Sequence, residues 1–414
     1  MKELKTIDII EKNGVHCRSF KNGGILMRNF ISEDMIEQAI LTKLRQKEFG
    51  YDVLVCDADP AHKEELNDGT GRTSKKQCVL PQILASQLYR LNPQVPREKL
   101  AALISDLTID FTDSDLVSKN YELYNKLRNF IQLPTRKNGH ADFEMVRLID
   151  FDNPKQNIFT AVSQMWIQGR YIWRRPDIII FVNGLPLVFI ELKNSIVKVQ
   201  EAYDKNLHSY LKDIPNLFAF NQICVLSNGM ETRLGAFNAS YDFFFEWLKK
   251  AEGEKIDRKA IAENGVSADY FVDGLLHKDT LIDYVENFVL FENKVTKIIA
   301  KNHQFLGVNN LMAAMAKRNE LKGKLGVFWH TQGSGKSYSM VMFARKVRRK
   351  LEGNFSFLII TDRDDLDTQI YKNFVRTEVI GNKEECQPKN AVQLREYLQG
   401  NKSFIFTLIH KFHY

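Results

Sequence analysis

The run His330–Ser337, HTQGSGKS, constrains this chain more than any other stretch. A loop of this kind turns successive backbone N–H groups inward on a polyphosphate, and Gly333 and Gly335 supply the backbone freedom that such close approach needs. Ser334 lies between them. Lys336 can reach the terminal phosphates, and the Ser337 hydroxyl can ligate Mg²⁺. The loop works only between a strand and a helix. Leu325–Trp329 is a short apolar run fit for a buried parallel strand, and Ser339–Lys350 has the composition of a helix, which would set the anions at a helix N-terminus. His330 stands where the motif usually has glycine. The alternative, a glycine-rich turn that contains GKS by chance, lacks a reason for the flanking strand and helix.

At 414 residues the chain is too long for one ordinary core. Its five cysteines, Cys17, Cys56, Cys78, Cys224 and Cys386, contain no CxxC pair, and the first residues do not read as a secretory leader. That pattern favours a reducing cytoplasm and speaks against structural zinc. No apolar run approaches the length of a membrane span. A net charge of +7 favours a polyanionic partner without identifying one.

Two polar stretches, 57–76 and 251–265, suggest loops, and the second marks the expected domain boundary, giving domains 1–255 and 256–414. Helical periodicity is expected over 33–47 and 81–107, strands and turns over 147–226, an aromatic helix at 241–247 and a long helical stretch over 281–319. Apolar strands at 355–360 and 403–408, each preceded by a helical segment, predict a doubly wound α/β sheet.

The second chemical site is RRPDIIIFVNGLPLVFIELKN, Arg174–Asn194. Two β-rich runs flank Asn183-Gly184, a hairpin turn signal. Glu191 and Lys193 are two apart and share a face. With a three-residue connection 183–185, Asp177 falls opposite Glu191, and the three groups converge. Two carboxylates can hold Mg²⁺ while the ammonium orients water or balances charge on a phosphorane-like transition state, the arrangement of a PD…ExK nuclease. Glu37, on an amphipathic stretch, is a candidate further metal carboxylate. A solvated charged pair would look the same, but the flanking IIIF and LVFI runs predict strands buried on both faces, where ionisable groups need a partner. Asn206 and Tyr210, four apart on a helix, either touch DNA or solvate that helix; His208 reads as a surface residue, and Ser227-Asn228-Gly229 as a turn. The acidic run at 362–367 is suited to holding Arg363 or capping a helix, and the basic run at 345–350 to ending one.

Taken together, these motifs resemble the restriction (R) subunit of type I restriction–modification enzymes. The resemblance rests on the hairpin, on SNG, on Lys297–Gln304, on VFWHTQGSGKSYSM and on TDRDDLDTQI. It implies an α/β chain with an N-terminal PD-(D/E)xK nuclease-like domain, followed by a truncated RecA-like P-loop motor domain. Asp177, Glu191 and Lys193 would then cut double-stranded DNA with Mg²⁺, with ATP-driven translocation by the motor and with methyltransferase and specificity subunits as partners. The resemblance makes His330 the expected residue, matches Gln304 to an adenine-reading glutamine, and maps Asn206–Tyr210 onto a Gln-x-x-x-Tyr element with Asn for Gln. The DEAD/DEAH-type carboxylate motif, an arginine finger and a second motor domain are expected beyond Tyr414. Two other readings stay open: a translocase with a vestigial nuclease, and an inactive nucleotide- or DNA-binding remnant.

Overall fold

A computed structural model describes residues 8–12, 15–19, 21–22, 25–26, 30–108, 115–137, 139–381 and 385–412. The chain divides into two compact units, 1–286 and 287–414. The polar stretch 251–265 therefore does not coincide with the division. The helices that follow it, α7 (Arg258–Asn264), α8 (Ser267–Leu275) and α9 (Lys278–Asn287), pack with what precedes them. Ser267 Oγ donates to the Gly229 carbonyl, and Lys43 pairs with Asp269 at 3.3 Å and Asp273 at 2.5 Å.

The first unit is built on a seven-stranded mixed sheet whose spatial order follows chain order: β1 (Asp52–Val55), β2 (Phe159–Ser163), β3 (Ile178–Val182), β4 (Leu185–Leu192), β5 (Ile223–Ser227), β6 (Thr232–Gly235) and β7 (Phe245–Glu246). The β1–β2 and β4–β5 pairs are parallel and the others antiparallel. All residues of β3 and β4 are buried, as their unbroken apolar runs require. Each large aliphatic side chain so buried contributes about 1.5–3 kcal/mol. One face packs Phe181, Phe189, Cys224 and Leu226 against Val199, Leu207 and Phe218. Against the sheet also lies α1 (Glu33–Arg45), capped by Ser32 Oγ accepting from Met35 N. Its buried stripe is Ile36, Glu37, Ile40, Leu41 and Leu44.

The β3–β4 hairpin reaches the expected register by another route. The turn has two residues, Asn183 (φ 51°) and Gly184 (φ 81°), and pairs Val182 with Leu185; a bulge between Ile180 and Phe181 then shifts the ladder so that Ile178 faces Ile190. One step further along the same register, Asp177 comes opposite Glu191. The turn is buried: Asn183 Nδ2 donates to Leu148 O, and a Cβ on Gly184 would lie 2.5 Å from Leu80 O.

Three expected helices are differently resolved. Residues 81–107 form two helices, α2 (Pro81–Leu91) and α3 (Arg97–Thr108), because Pro93 and Pro96 interrupt the backbone ladder. Residues 241–247 are a 3₁₀ turn followed by β7, where the edge of β6 offers a ladder that outweighs local preference. The stretch 281–319 contains a hairpin, β8 (Val289–Glu292) and β9 (Thr296–Ile299), turned by Asn293 and Lys294 at positive φ, before α10 (Asn302–Ala316).

In the second unit, α11 (Lys336–Lys350) follows the phosphate loop, and β10 (Phe357–Thr361) pairs in parallel with β11 (Phe404–Leu408) across α12 (Asp364–Arg376) and α13 (Ala391–Gln399). Among the described residues this sheet has two strands. The expected buried strand at 325–329 is not formed: Val327 is 92% and Trp329 78% exposed. A strand exists only by pairing, and no described strand pairs with this segment.

Candidate active site

The first site lies where β2 and β4 end and β3 begins. Asp177 precedes β3; its Oδ2 accepts from Leu192 N at 2.7 Å, and its carbonyl accepts from Gln164 N at 3.0 Å. Glu191, near the end of β4, is 2% exposed. Its Oε1 accepts from Lys193 Nζ at 3.0 Å and from Asn206 Nδ2 at 2.5 Å. Its Oε2 is buried and makes no hydrogen bond of normal geometry, although the Tyr210 hydroxyl lies near enough to act on the carboxylate. Lys193 Nζ also donates to Leu192 O at 2.7 Å.

Glu37 joins this group from α1, 4% exposed, accepting from the Gln164 carboxamide. Gln164 sits at φ 57°, a conformation costly for a residue with a side chain, immediately after β2. This residue carries no motif, and nothing in the sequence singled it out. Glu37 was legible as the single charge in an apolar helical stripe. Glu33, one helical turn earlier, adds a charge that acts on both Asp177 and Lys193.

Burial pushes the Glu191 carboxyl up to about 8, with the Asp177 charge adding to it and Lys193 opposing it. Burial also raises Asp177 and Glu37, each against hydrogen bonds that favour the ion. Burial alone would lower Lys193, but Glu191 beside it more than compensates, and the ammonium is held. Among the described residues no three His, Cys, Asp or Glu side chains form a ready-made metal cage. Two carboxylates suffice for Mg²⁺, which keeps several waters. Glu191, with Asp177 and Glu37 beside it in a dehydrated corner where their charges oppose one another, makes a donor set that fits a divalent cation.

The expected Asn206–Tyr210 helix carries a π-helical turn, Ala202–Leu207, between α5 (Val199–Glu201) and α6 (His208–Asp213). Both residues turn inward. Asn206 holds Glu191, and buried Tyr210 donates to Arg175 O at 3.1 Å, its ring edge-on to Phe189. Both thereby support the strands that carry the carboxylates. His208 is exposed, as expected, and Ser227-Asn228-Gly229 is a turn in which Asn228 Oδ1 accepts from Met230 N and Glu231 N. Ser227 O accepts from Lys193 N at 2.8 Å and so fixes the end of β4.

In the second unit Gly333 (φ 77°) and Gly335 (φ 89°) adopt the left-handed backbone that the phosphate loop needs, and α11 begins at Lys336. Ser337 falls in its first turn. The Lys336 ammonium donates to His330 O at 2.8 Å and Thr331 O at 3.1 Å, folded over the loop. Gln304 is buried with both ends of its amide engaged: Oε1 accepts from Lys301 N and Nε2 donates to Gly335 O at 2.9 Å. In this arrangement it braces the loop. His330 packs edge-on to His303, whose ring nitrogen contacts Ser334 O at 3.1 Å. In the acidic run, Asp364, Asp365 and Asp367 occupy the first turn of α12, where they complement its dipole.

Residues 30–243 match the type I restriction enzyme R protein N-terminus family, slightly more than half of the chain. The chain belongs to this family. Residues 303–414 match the SWI2/SNF2 ATPase family. This chain is 34% identical over 395 residues to the type I restriction enzyme HindI endonuclease subunit of Haemophilus influenzae, covering 92% of this chain and 36% of the relative. It is 28% identical over 408 residues to the putative type I restriction enzyme MjaIXP endonuclease subunit of Methanocaldococcus jannaschii, covering 92% and 37%. A Staphylococcus aureus type I restriction endonuclease subunit is 25% identical over 59% of the chain. The chain thus spans little more than a third of the two longer matches.

Proposed function

We propose that the first unit is a PD-(D/E)xK-type nuclease that cuts double-stranded DNA, and that the second begins a RecA-like, ATP-driven motor that translocates the same DNA. The observation that carries this reading is the Glu191 carboxylate: buried, facing Asp177 across the hairpin and held by Lys193 and Asn206. Asp177 and Glu191, with Glu37 adjacent, would hold Mg²⁺. When bound, the metal supplies Lewis-acid stabilisation of the phosphoryl charge and a water of lowered pKa. Lys193 keeps its proton and stands where it can offset charge on the scissile phosphate. Asn206 and Tyr210 position the carboxylate and the strand that carries Asp177.

The phosphate loop would bind ATP phosphates through the backbone N–H groups around Gly333–Gly335, with Lys336 exchanging its loop carbonyls for phosphate oxygens and Ser337 on Mg²⁺. Methyltransferase and specificity subunits, which the resemblance implies, would supply target choice, and the cytoplasm is the fitting compartment. A translocase with a vestigial nuclease is the weaker reading, because buried, mutually repelling carboxylates are costly to retain without use.

The test is Asp177→Ala and Lys193→Ala in the assembled enzyme. Each should abolish DNA cleavage while ATP hydrolysis continues. Undiminished cleavage by either variant would remove the assignment.

A further inference from the structure

Between Gln164 and Asp177 the chain makes a short excursion that the proposed chemistry does not use. Residues Ile167–Gln168 pair antiparallel with Trp173–Arg174, and the turn between them exposes Tyr171 (83%) and Ile172 (47%) beside Arg170. From Gln164 to Pro176 there are three arginines, Arg170, Arg174 and Arg175, and no Asp or Glu.

This exposed turn is held at its root by polar and ionic contacts. Asp68, Arg72 and Lys75 form a buried ionic cluster, Asp68 to Arg72 at 2.8 Å and to Lys75 at 2.7 Å. Two of its members grip the root of the excursion: Arg72 donates to Trp166 O at 3.0 Å, and Lys75 O accepts from Gln168 N at 3.0 Å. On the other side Arg174 forms an ion pair with Asp213 at the end of α6. Gly169 has no room for a side chain, since a Cβ there would clash with Asp213 O. Arg175 stacks over Trp166, and Lys63 lies 5.6 Å over Trp173. Burying such a cluster is costly, and a fixed presentation of the turn is what it achieves. The second strand runs directly into Asp177, so the turn stands at the same end of the sheet as the carboxylates.

We infer that this hairpin is a DNA-engaging element of the nuclease unit, with Arg170 on backbone phosphate and the Tyr171–Ile172 tip packed into a groove of the duplex beside the cutting site. Asp213 offsets Arg174 and Arg175 is engaged at Ala58 O, so the exposed cation at the tip is Arg170, 5.2 Å over the Tyr171 ring; a cation backed by an exposed aromatic suits a duplex, where arginines position on phosphate. The inference rests on the nuclease reading for its location, though not for its chemistry.

The test is fluorescence anisotropy of the full 414-residue chain with a labelled duplex in EDTA. Tyr171→Ala should weaken binding by about tenfold, the loss expected for an apolar contact buried on binding, with an unchanged salt dependence. Arg170→Ala should weaken binding and lower the slope of log affinity against log salt by about one. Tyr171→Phe should bind as the parent does. Phe143→Ala, at an exposed aromatic on a separate hairpin, should have no effect. Parent-like DNA affinity in both Tyr171→Ala and Arg170→Ala overturns the proposal, whatever those variants do to assembly with protein subunits. If that happens while Asp177→Ala still abolishes cutting, the nuclease reading stands and the hairpin's role falls. If DNA binding depends on Tyr171 while Asp177→Ala cuts normally, the hairpin stands and the nuclease reading falls.

Discussion

Replacing Glu191 by Gln should make the metal-free protein more stable at alkaline pH, although it removes a proposed metal ligand. The carboxyl titrates near 8 in the folded chain against about 4.5 as its ordinary value. Between these values the folded state holds a proton that the unfolded state has released. Folding stability therefore falls as pH rises through this window and is highest on its acid side. Holding that proton through one pH unit of the window is worth about 1.36 kcal/mol; because each state is partly titrated at an end of the range, the loss from this one group between about pH 5 and pH 8 is roughly 3 to 4 kcal/mol. Asp177 and Glu37, also raised, act in the same direction. Glutamine keeps an oxygen for Lys193 and Asn206 and carries no charge. Urea unfolding of parent and Glu191→Gln in EDTA across this range is the assay. The variant should match the parent near pH 5 and exceed it by roughly 3 to 4 kcal/mol near pH 8. Saturating Mg²⁺ should restore the parent at high pH, since the ligand binds the ionised carboxylates, and should do little for the variant. Parallel stability–pH curves for the two proteins, or an equal Mg²⁺ response, would refute the argument that Glu191 is a dehydrated carboxylate awaiting a cation.

Gly184→Ala should cost about 3 kcal/mol in unfolding free energy, because the residue has φ 81° and its Cβ would press on Leu80 O; a change within about 0.5 kcal/mol would show that the turn relaxes freely. Lys336→Ala should weaken binding of a fluorescent ATP analogue, because the ammonium is the only side-chain cation of the phosphate loop; unaltered affinity would place the nucleotide elsewhere.

What the amino-acid sequence determined on its own was local. The Asn183-Gly184 turn, the two buried runs beside it and the two-residue spacing of Glu191 and Lys193 follow from turn chemistry and the period of a strand. The glycines of the phosphate loop and the helix after it follow in the same way. Even the opposition of Asp177 to Glu191 was legible, although a bulge after a two-residue turn produces it rather than a three-residue loop. What depended on distant partners was not legible. Gln164 reaches Glu37 across 127 positions of chain, and Asn206 is directed at Glu191 by a π-helical turn that periodicity does not reveal. Residues 241–247 read as a helix until the edge of β6 supplied a ladder, and 325–329 read as a buried strand where the described sheet pairs nothing with it. That the Gln304 amide engages Gly335 O, thirty-one positions away, was likewise not visible in the sequence. Strand pairing, burial and the resulting pKa values depend on which surfaces meet, and the order of residues along one segment does not carry that information.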